Sequence, residues 1–430
     1  MTAPRRAVLT GVGVLSPVGC DPAAFWAGLT AGGPARARPV TLFDASPLPT
    51  HVAYEVDSFD AKKFIPAAQK DTRKSLKVMA RTIQLGVCAA QQVMDTAGPA
   101  KGTIDPDRFG IEFGCVMVGT ELEELAGGAV LAAKDTPGKV DLGVWGTDGL
   151  RAVQPLWMLK YLPNMPACHV SVTHDARGPN NTITAGDLAG LLALTEAYRI
   201  LGRGLADYFL VGGCESKLGP VGFCRHNSFQ QLSRRNATPA DALRPFDADR
   251  DGTLLGEAAA VFGLEDLAFA QKRGATVLAE VVGVASGFAR KLNPALFARV
   301  IRQALKEAGV QPADVDHVNS SAGGFTALDA FEARAIAEVF GPNGVPVFAP
   351  RGHVGTAGAA SGLVELAASV LALHHGQLPG TLNHAKAGAD CPVHVHTGPP
   401  RPVAKPYALK VTTTDLGQVA AVVVRKWDGV

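Results

Sequence analysis

The stretch GPNNTITAGDLAG, from Gly178 to Gly190, sets a carboxylate where a strand runs straight into a helix. NNTIT reads as a strand, LAGLLALTEAYRIL repeats apolar residues at helical spacing, and Asp187 stands at the turn behind Ala185 and Gly186. A side chain at such a turn meets unpaired backbone N–H groups and the positive end of the helix dipole, which stabilise an anion. A cysteine there would have a lowered pKa and could carry an acyl group as a thioester. Asp187 keeps the anion but is a weak acyl carrier, because its acyl product would be a reactive mixed anhydride. The turn thus has the geometry of a nucleophile elbow without the nucleophile. The plainer reading is that Asp187 is an N-cap, a role worth about 1 kcal/mol.

The elements that must position this turn are those of an α/β protein. The chain has 430 residues and is 47% hydrophobic, enough for two to three ordinary domains or one duplicated fold. AVLTGVGVL, FGIEFGCVMVG and YFLVGGCES read as strands, with helices expected over Pro22 to Thr30 and Ser75 to Ala97. A helix-rich, glycine-interrupted segment spans Glu121 to Tyr161, and the region before Arg250 reads as irregular. A second set begins near Thr276. TVLAEVVGVASGF, VDHVNSS and VPVFAP are strands, and helices are expected over Pro294 to Ala308, Ala327 to Phe340 and Ala359 to His374. YALKVTTTDLGQVAAVVVRKW closes the chain as two strands around a turn. Two comparable halves, 1–268 and 269–430, are expected to pack as one body with the site between them.

Composition removes several function classes. Net charge is +2, from 41 basic and 39 acidic residues with no basic run, so nucleic acid is not an expected partner. The opening apolar stretch is broken by Gly11, Gly13 and Pro17 and lacks an A-x-A site, which fits a strand and turn better than a signal peptide. No run of 18 apolar residues exists, so no membrane span is expected. The seven cysteines are scattered singly with no C-x-x-C pair, and they read as reduced core thiols of a cytoplasmic protein. Neither a metal nor another cofactor is expected.

Three segments carry a resemblance to a known family. RRAVLTGVGVLSPVG, SRRNATPADALRPFDADRDGTLLGEAAAVFGLEDLAFAQKRGATVLAEVVG and DHVNSSAGGFTALDAFEARAIAEVFG resemble, in order and spacing, the β-ketoacyl-acyl carrier protein synthases of the thiolase superfamily, most closely synthase II. The resemblance covers nearly the whole chain, and RPFDADRDGTLLGE is its most specific part. It implies a thiolase-like duplicated α-β-α-β-α layered fold. It also implies acyl thioesters on an acyl carrier protein as ligands, and a dimer.

The family works with a cysteine at the elbow, two histidines, a nearby lysine and a glycine-rich turn close to the C-terminus. Mapped by resemblance, the cysteine position falls on Asp187 and the first histidine, normally in Asn-Ala-His-Gly-Thr, falls on Ser321. Counting back without a gap from Val364-Glu365 puts Arg351 at the lysine and Thr356 at the second histidine; a gapped frame would use His353 instead. The glycine-rich turn, which borders the oxyanion hole, falls on Thr414-Asp415-Leu416-Gly417, where only Gly417 remains.

On that mapping, condensation by the family mechanism is expected to be lost, because each missing group is worth about 10² to 10⁴ in rate. Decarboxylation alone is disfavoured too, since Asp187 would set a negative charge beside a developing enolate. An altered site built on Asp187 with His353, His317 or Asp415 stays open, although both histidines also read as surface or supporting residues and Asp415 as a turn cap. Cys168 is a weaker substitute nucleophile. The family also contains non-condensing partners, the chain length factors, which usually carry glutamine at the cysteine position. The leading expectation is therefore a partner subunit that shapes an acyl cavity for an active ketosynthase, as a homodimer or heterodimer. The alternative is an acyl-thioester enzyme using Asp187.

Overall fold

The computed structural model describes residues 5–116, 118–135 and 138–429, so Met117 at the end of the expected strand FGIEFGCVMVG lies outside the described residues. Among the described residues eleven strands form the central sheet. In the first half these are β1 (Ala7–Leu15), β2 (Phe109–Gly114), β3 (Asn180–Ile183), β4 (Tyr208–Ser216) and β5 (Glu257–Asp266). In the second they are β6 (Ala279–Phe288), β7 (Val315–Asn319), β8 (Pro346–Phe348), β9 (His394–Val395), β10 (Tyr407–Thr413) and β11 (Gln418–Lys426).

Their spatial order exposes a duplication. The first half runs β1-β5-β4-β2-β3 and the second β6-β11-β10-β7-β8, with β9 added at the far edge. In each half the first two pairings are antiparallel and the next two parallel. The halves join where Ala7 to Leu9 pair with Ala279 to Val281. All nine residues of β1 are buried, as in a sheet covered on both faces.

The apolar clusters resolve the layers. Helix Arg81–Thr96 covers one face of the first half, with Ile83, Val87 and Ala90 against Ile111, Leu210 and Val261. Helices Pro294–Ala308 and Thr326–Phe340 cover the outer face of the second. Between the halves lie helices Ala189–Gly202 and Ser361–His375, whose leucines and valines share one core with strand residues from both sides. The result is the expected α-β-α-β-α order. The two central helices also begin alike. Each follows a short 3-10 turn opened by a left-handed glycine, Gly186 at φ +55° and Gly358 at φ +53°. Their approach is close enough that a Cβ on Gly190 would stand 2.8 Å from the Ala359 carbonyl oxygen.

Two expectations fail. The single helix over Ser75 to Ala97 is broken into Lys70–Ser75, a 3-10 turn and Arg81–Thr96. Met79 turns extended, with φ −114° and ψ 123°, and buries its side chain. The Gln84 side chain donates to the Leu76 and Met79 carbonyls at 3.1 and 3.0 Å, supplying partners that the continuous helix would have given. The irregular region before Arg250 contains helix Pro220–Phe229, with its proline at the first turn where the missing N–H costs nothing. The junction between the two strand sets runs through helix Leu267–Lys272 into β6. Among the described residues no helix is long and apolar enough to cross a membrane.

Candidate functional site

β3 delivers Asp187 to the seam between the halves. The strand ends at Ile183, Gly186 takes the left-handed backbone, and the 3-10 turn Gly186–Leu188 leads into the central helix. The expected N-cap is not made: Ala185 occupies the capping position of that turn, and no side chain caps it or the helix that follows. The Asp187 carboxylate turns instead across the seam, where its Oδ2 lies 3.0 Å from Arg351 Nη2. That nitrogen has no aligned hydrogen-bond acceptor, so the contact is ionic rather than directed.

Arg351 opens the short helix Arg351–Val354 and is 2% exposed. Its Nε donates to Glu365 Oε1 at 2.6 Å, and Lys410 Nζ, from β10, donates to Glu365 Oε2 at 2.5 Å and to the Val411 carbonyl at 2.8 Å. Asp187, Arg351, Glu365 and Lys410 thus form one chain of alternating charge. Burial is the largest influence on Arg351 and opposes its charge, but Glu365 and Asp187 outweigh it and raise the pKa. Burial also lowers the Lys410 pKa, against the pull of Glu365 and Glu332.

Glu332 forms a second, adjoining group. Its carboxylate accepts from the Ser320 hydroxyl, from the Ser321 N–H at 2.9 Å and from the Ser321 hydroxyl at 2.5 Å. The Ser321 oxygen in turn accepts from the Thr413 N–H at 3.2 Å. Burial raises the Glu332 pKa, partly offset by Lys410.

A cavity of about 490 Å³ opens above this charged floor. Its wall takes Ala185, Gly186 and Asp187 from the elbow, Arg351 and Thr356 from the facing turn, and Asp415 and Leu416 from the β10–β11 turn. Phe229 and Leu416, 84% and 68% exposed, sit at the mouth. Thr356 is held by a 2.7 Å hydroxyl contact with Thr253. Among the described residues, neither cysteine nor histidine lines the cavity.

The remaining candidates are placed elsewhere or act otherwise. Ser321 lies beneath the cavity, bound to Glu332. His353 points away, its Nε2 sharing a 2.9 Å hydrogen bond with the Gly380 carbonyl, and burial lowers its pKa to about 4. His317 is fully buried between Asp316 and Ser369, at 3.0 and 2.9 Å, not on the surface. Cys168 lies on helix Met165–His174 and does not line the cavity. The turn cap expected of Asp415 is absent: backbone bonds from Gly417 to Thr414 and from Thr414 to Gln418 close the turn, and the Asp415 side chain is exposed. Gly417 takes φ +86° there, where an added Cβ would meet the Ala289 carbonyl oxygen at 1.9 Å. All seven cysteines are free, but Cys224 is exposed and Cys20 and Cys168 are half-buried, so the reading of a uniformly core set is too broad.

Sequence reasoning missed Lys410 and Thr253 and used Glu365 only to fix the frame. A lysine inside the apolar strand YALKVTT was the available signal, since a buried cation requires a paired anion.

If Arg351 is satisfied chiefly by Glu365, then Asp187→Asn, which leaves that pair intact, should change stability by under about 1 kcal/mol. Urea titration checks this; a loss above about 3 kcal/mol would make the Asp187 contact the dominant one.

The duplicated five-layer architecture with a cavity at its seam defines the thiolase-like class of proteins. Family models described as the N-terminal and C-terminal domains of β-ketoacyl synthase match residues 5–270 and 278–385. The chain belongs to the β-ketoacyl synthase family. It is 32% identical over 395 residues to a 3-oxoacyl-[acyl-carrier-protein] synthase 2 of Coxiella burnetii, covering 90% of each chain. It is 31% identical over 399 residues to the tetracenomycin polyketide synthase ketoacyl synthase alpha subunit of Streptomyces glaucescens, covering 90% of this chain and 89% of the other. Among solved structures it is similar to the ishigamide ketosynthase/chain length factor, with TM-score 0.83, 26% identity and coverage of 99% and 100%. The fold also matches a β-ketoacyl synthase from Burkholderia phymatum, with TM-score 0.86, 24% identity and coverage of 98% and 100%.

Proposed function

We propose that this chain is a ketosynthase-like subunit of fatty acid or polyketide biosynthesis that does not itself condense acyl chains. In this reading it shapes an acyl cavity beside an active synthase and meets acyl thioesters delivered on an acyl carrier protein. The observation that carries it is the elbow itself: the side chain at the end of the central helix is a carboxylate tied to Arg351 at 3.0 Å, above a buried Glu365 and Lys410. Condensation needs a thiolate to receive the acyl group and neutral or cationic donors to stabilise the thioester enolate. The floor offers an anion at the first task. At the second, its cations are already engaged by Asp187 and Glu365, Lys217 on the wall pairs with Glu215 at 3.3 Å, and the wall adds no imidazole among the described residues.

The cavity is nevertheless retained. Its volume of about 490 Å³ falls within the range of small-molecule sites, and apolar side chains border its mouth. A subunit that kept only a fold would have no need of such a space. The alternative, an acyl-thioester enzyme using Asp187 as base, is weakened by the same ion pair. Its carboxylate faces Arg351 at 3.0 Å, and among the described residues no histidine or cysteine lines the cavity to share an acid–base task.

Intact-mass spectrometry after incubation with acyl- and malonyl-acyl carrier protein tests the proposal. The expected result is an unmodified mass and no released carbon dioxide. A stoichiometric acyl adduct, or carbon dioxide release abolished by Asp187→Asn, would establish the enzyme reading instead.

A further inference from the structure

The cavity joins an apolar approach to a charged end. Phe229 and Leu416 stand at its mouth, Leu292, Phe325 and Leu328 add apolar wall, and the ionisable side chains Asp187, Lys217 and Arg351 border the same space. Asp415, also on the wall, is exposed.

These charges have counter-charges and few hydrogen bonds. Arg351 donates from Nε to Glu365 at 2.6 Å. Lys217 is 8% exposed, and its Nζ lies 3.3 Å from Glu215 Oε1. The other Glu215 oxygen accepts from the Ala359 N–H at 2.7 Å. The Lys217–Glu215 contact is ionic and undirected, so the Lys217 ammonium has no hydrogen-bond acceptor among the described residues. The Asp187 carboxylate likewise accepts no hydrogen bond there, and its ion contact is with Arg351 Nη2 at 3.0 Å. His226 senses both groups. Burial first, then Lys217 and Arg225, lowers its pKa to about 4, while Asp187 acts in the opposite direction. Lys217 and Asp187 therefore share one neighbourhood, beside a neutral imidazole.

Such a wall is balanced in charge but short of hydrogen bonds. An alkyl tip pressed against it strips water from an ammonium and a carboxylate and returns no partner, at about 1–3 kcal/mol for each group and more where it is charged. An ion of either sign brings its own desolvation cost and meets one like charge on the wall. A neutral group carrying both a donor and an acceptor serves both: its N–H can meet Asp187 and its carbonyl oxygen Lys217.

We propose that this cavity recognises a chain whose tip is a primary carboxamide, with Asp187 and Lys217 as the residues that select it. The apolar wall takes the body of the chain, and Arg351 stays with Glu365. The carboxylate at the elbow then has a task other than acyl transfer. The inference rests on the reading of the cavity as an acyl-chain space and adds the chemistry of the chain's end.

Saturation-transfer NMR titrations of the full chain at pH 7 with hexanamide, hexanoate and hexylamine test it. The three probes share an alkyl part and differ at the tip, and the last two are ionised at that pH. Hexanamide is expected to bind more tightly than either ion by about ten-fold or more. Asp187→Asn turns an acceptor-only group into one that also donates, and is expected to raise hexanoate affinity by about five-fold or more. Lys217→Met removes the ammonium and is expected to weaken hexanamide and strengthen hexylamine, each by about five-fold or more. A wild type that binds either ion as tightly as hexanamide, or that binds none of the three, overturns the proposal. So does a ranking that both substitutions leave unchanged, which would place the probes elsewhere on the protein. Circular dichroism melting confirms that each variant is folded. Where Lys217→Met is not, the wild-type ranking and Asp187→Asn, which keeps the Arg351–Glu365 pair, decide the matter. An acyl adduct on the wild type would remove the non-condensing reading and leave these rankings in place, whereas a flat ranking removes this inference and leaves the adduct result untouched.

Discussion

Arg351→Met is expected to lower the free energy of unfolding by about 3–5 kcal/mol, the usual cost of removing one partner from a buried ion pair. Methionine matches much of the arginine stem, so the loss comes from the charges left behind. Arg351 is 2% exposed and Glu365 is fully buried, and without the guanidinium Asp187 also faces the seam alone. Lys410 at 2.5 Å from Glu365 limits the damage, because it still neutralises one carboxylate. Adding Glu365→Gln to Arg351→Met removes the second buried charge but leaves Lys410 without its counter-charge, so the double variant should recover only part of the loss. Urea denaturation at unchanged m-value is the measurement. A cost below about 1 kcal/mol would mean that the seam repacks without its central cation and that the charged chain does not hold the elbow.

The same chain of residues explains what could be read from the sequence and what could not. The strand limits of Ala7–Leu15 and Tyr208–Ser216 follow from short apolar runs, and helices Pro22–Thr30 and Pro294–Ala308 from their prolines and spacing. Those signals are local. The break at Met79 is not, because it depends on burial of that side chain and on Gln84 reaching back to two freed carbonyls. Helix Pro220–Phe229 was hidden for a related reason: only Phe223 on it is buried, so little apolar periodicity marks it. At the site, resemblance located Asp187, Arg351 and Thr356 on one cavity although they come from two halves of the chain. It did not reveal that Asp187 leaves its own helix terminus for Arg351. N-cap propensity is a statement about one turn, and an arginine 164 positions away, buried beside it, is the stronger partner.

The Glu112 carboxyl gives the other large effect, with the opposite sign: Glu112→Gln should stabilise the isolated protein, and the gain should grow with pH. Burial first and Glu196 second raise its folded-state pKa from 4.5 to about 8. The unfolded chain therefore releases this proton near the ordinary glutamate value, while the folded chain keeps it up to about 8. Folding stability linked to the group is fully present below about pH 4.5 and is lost as pH rises through the folded value, since the unfolded state alone gains ionisation in that window. Glutamine is neutral in both states, so wild type and variant should differ by under about 1 kcal/mol at pH 5. At pH 8 the variant should lead by about 1–3 kcal/mol, a figure kept well below the full linkage value because this carboxyl lies only one strand from the open edge. Urea midpoints of both proteins at pH 5 and pH 8 decide it. An equal difference at the two values would mean that Glu112 ionises normally in the folded state. The unpartnered carboxyl beneath β3 would then not be held protonated by its surroundings.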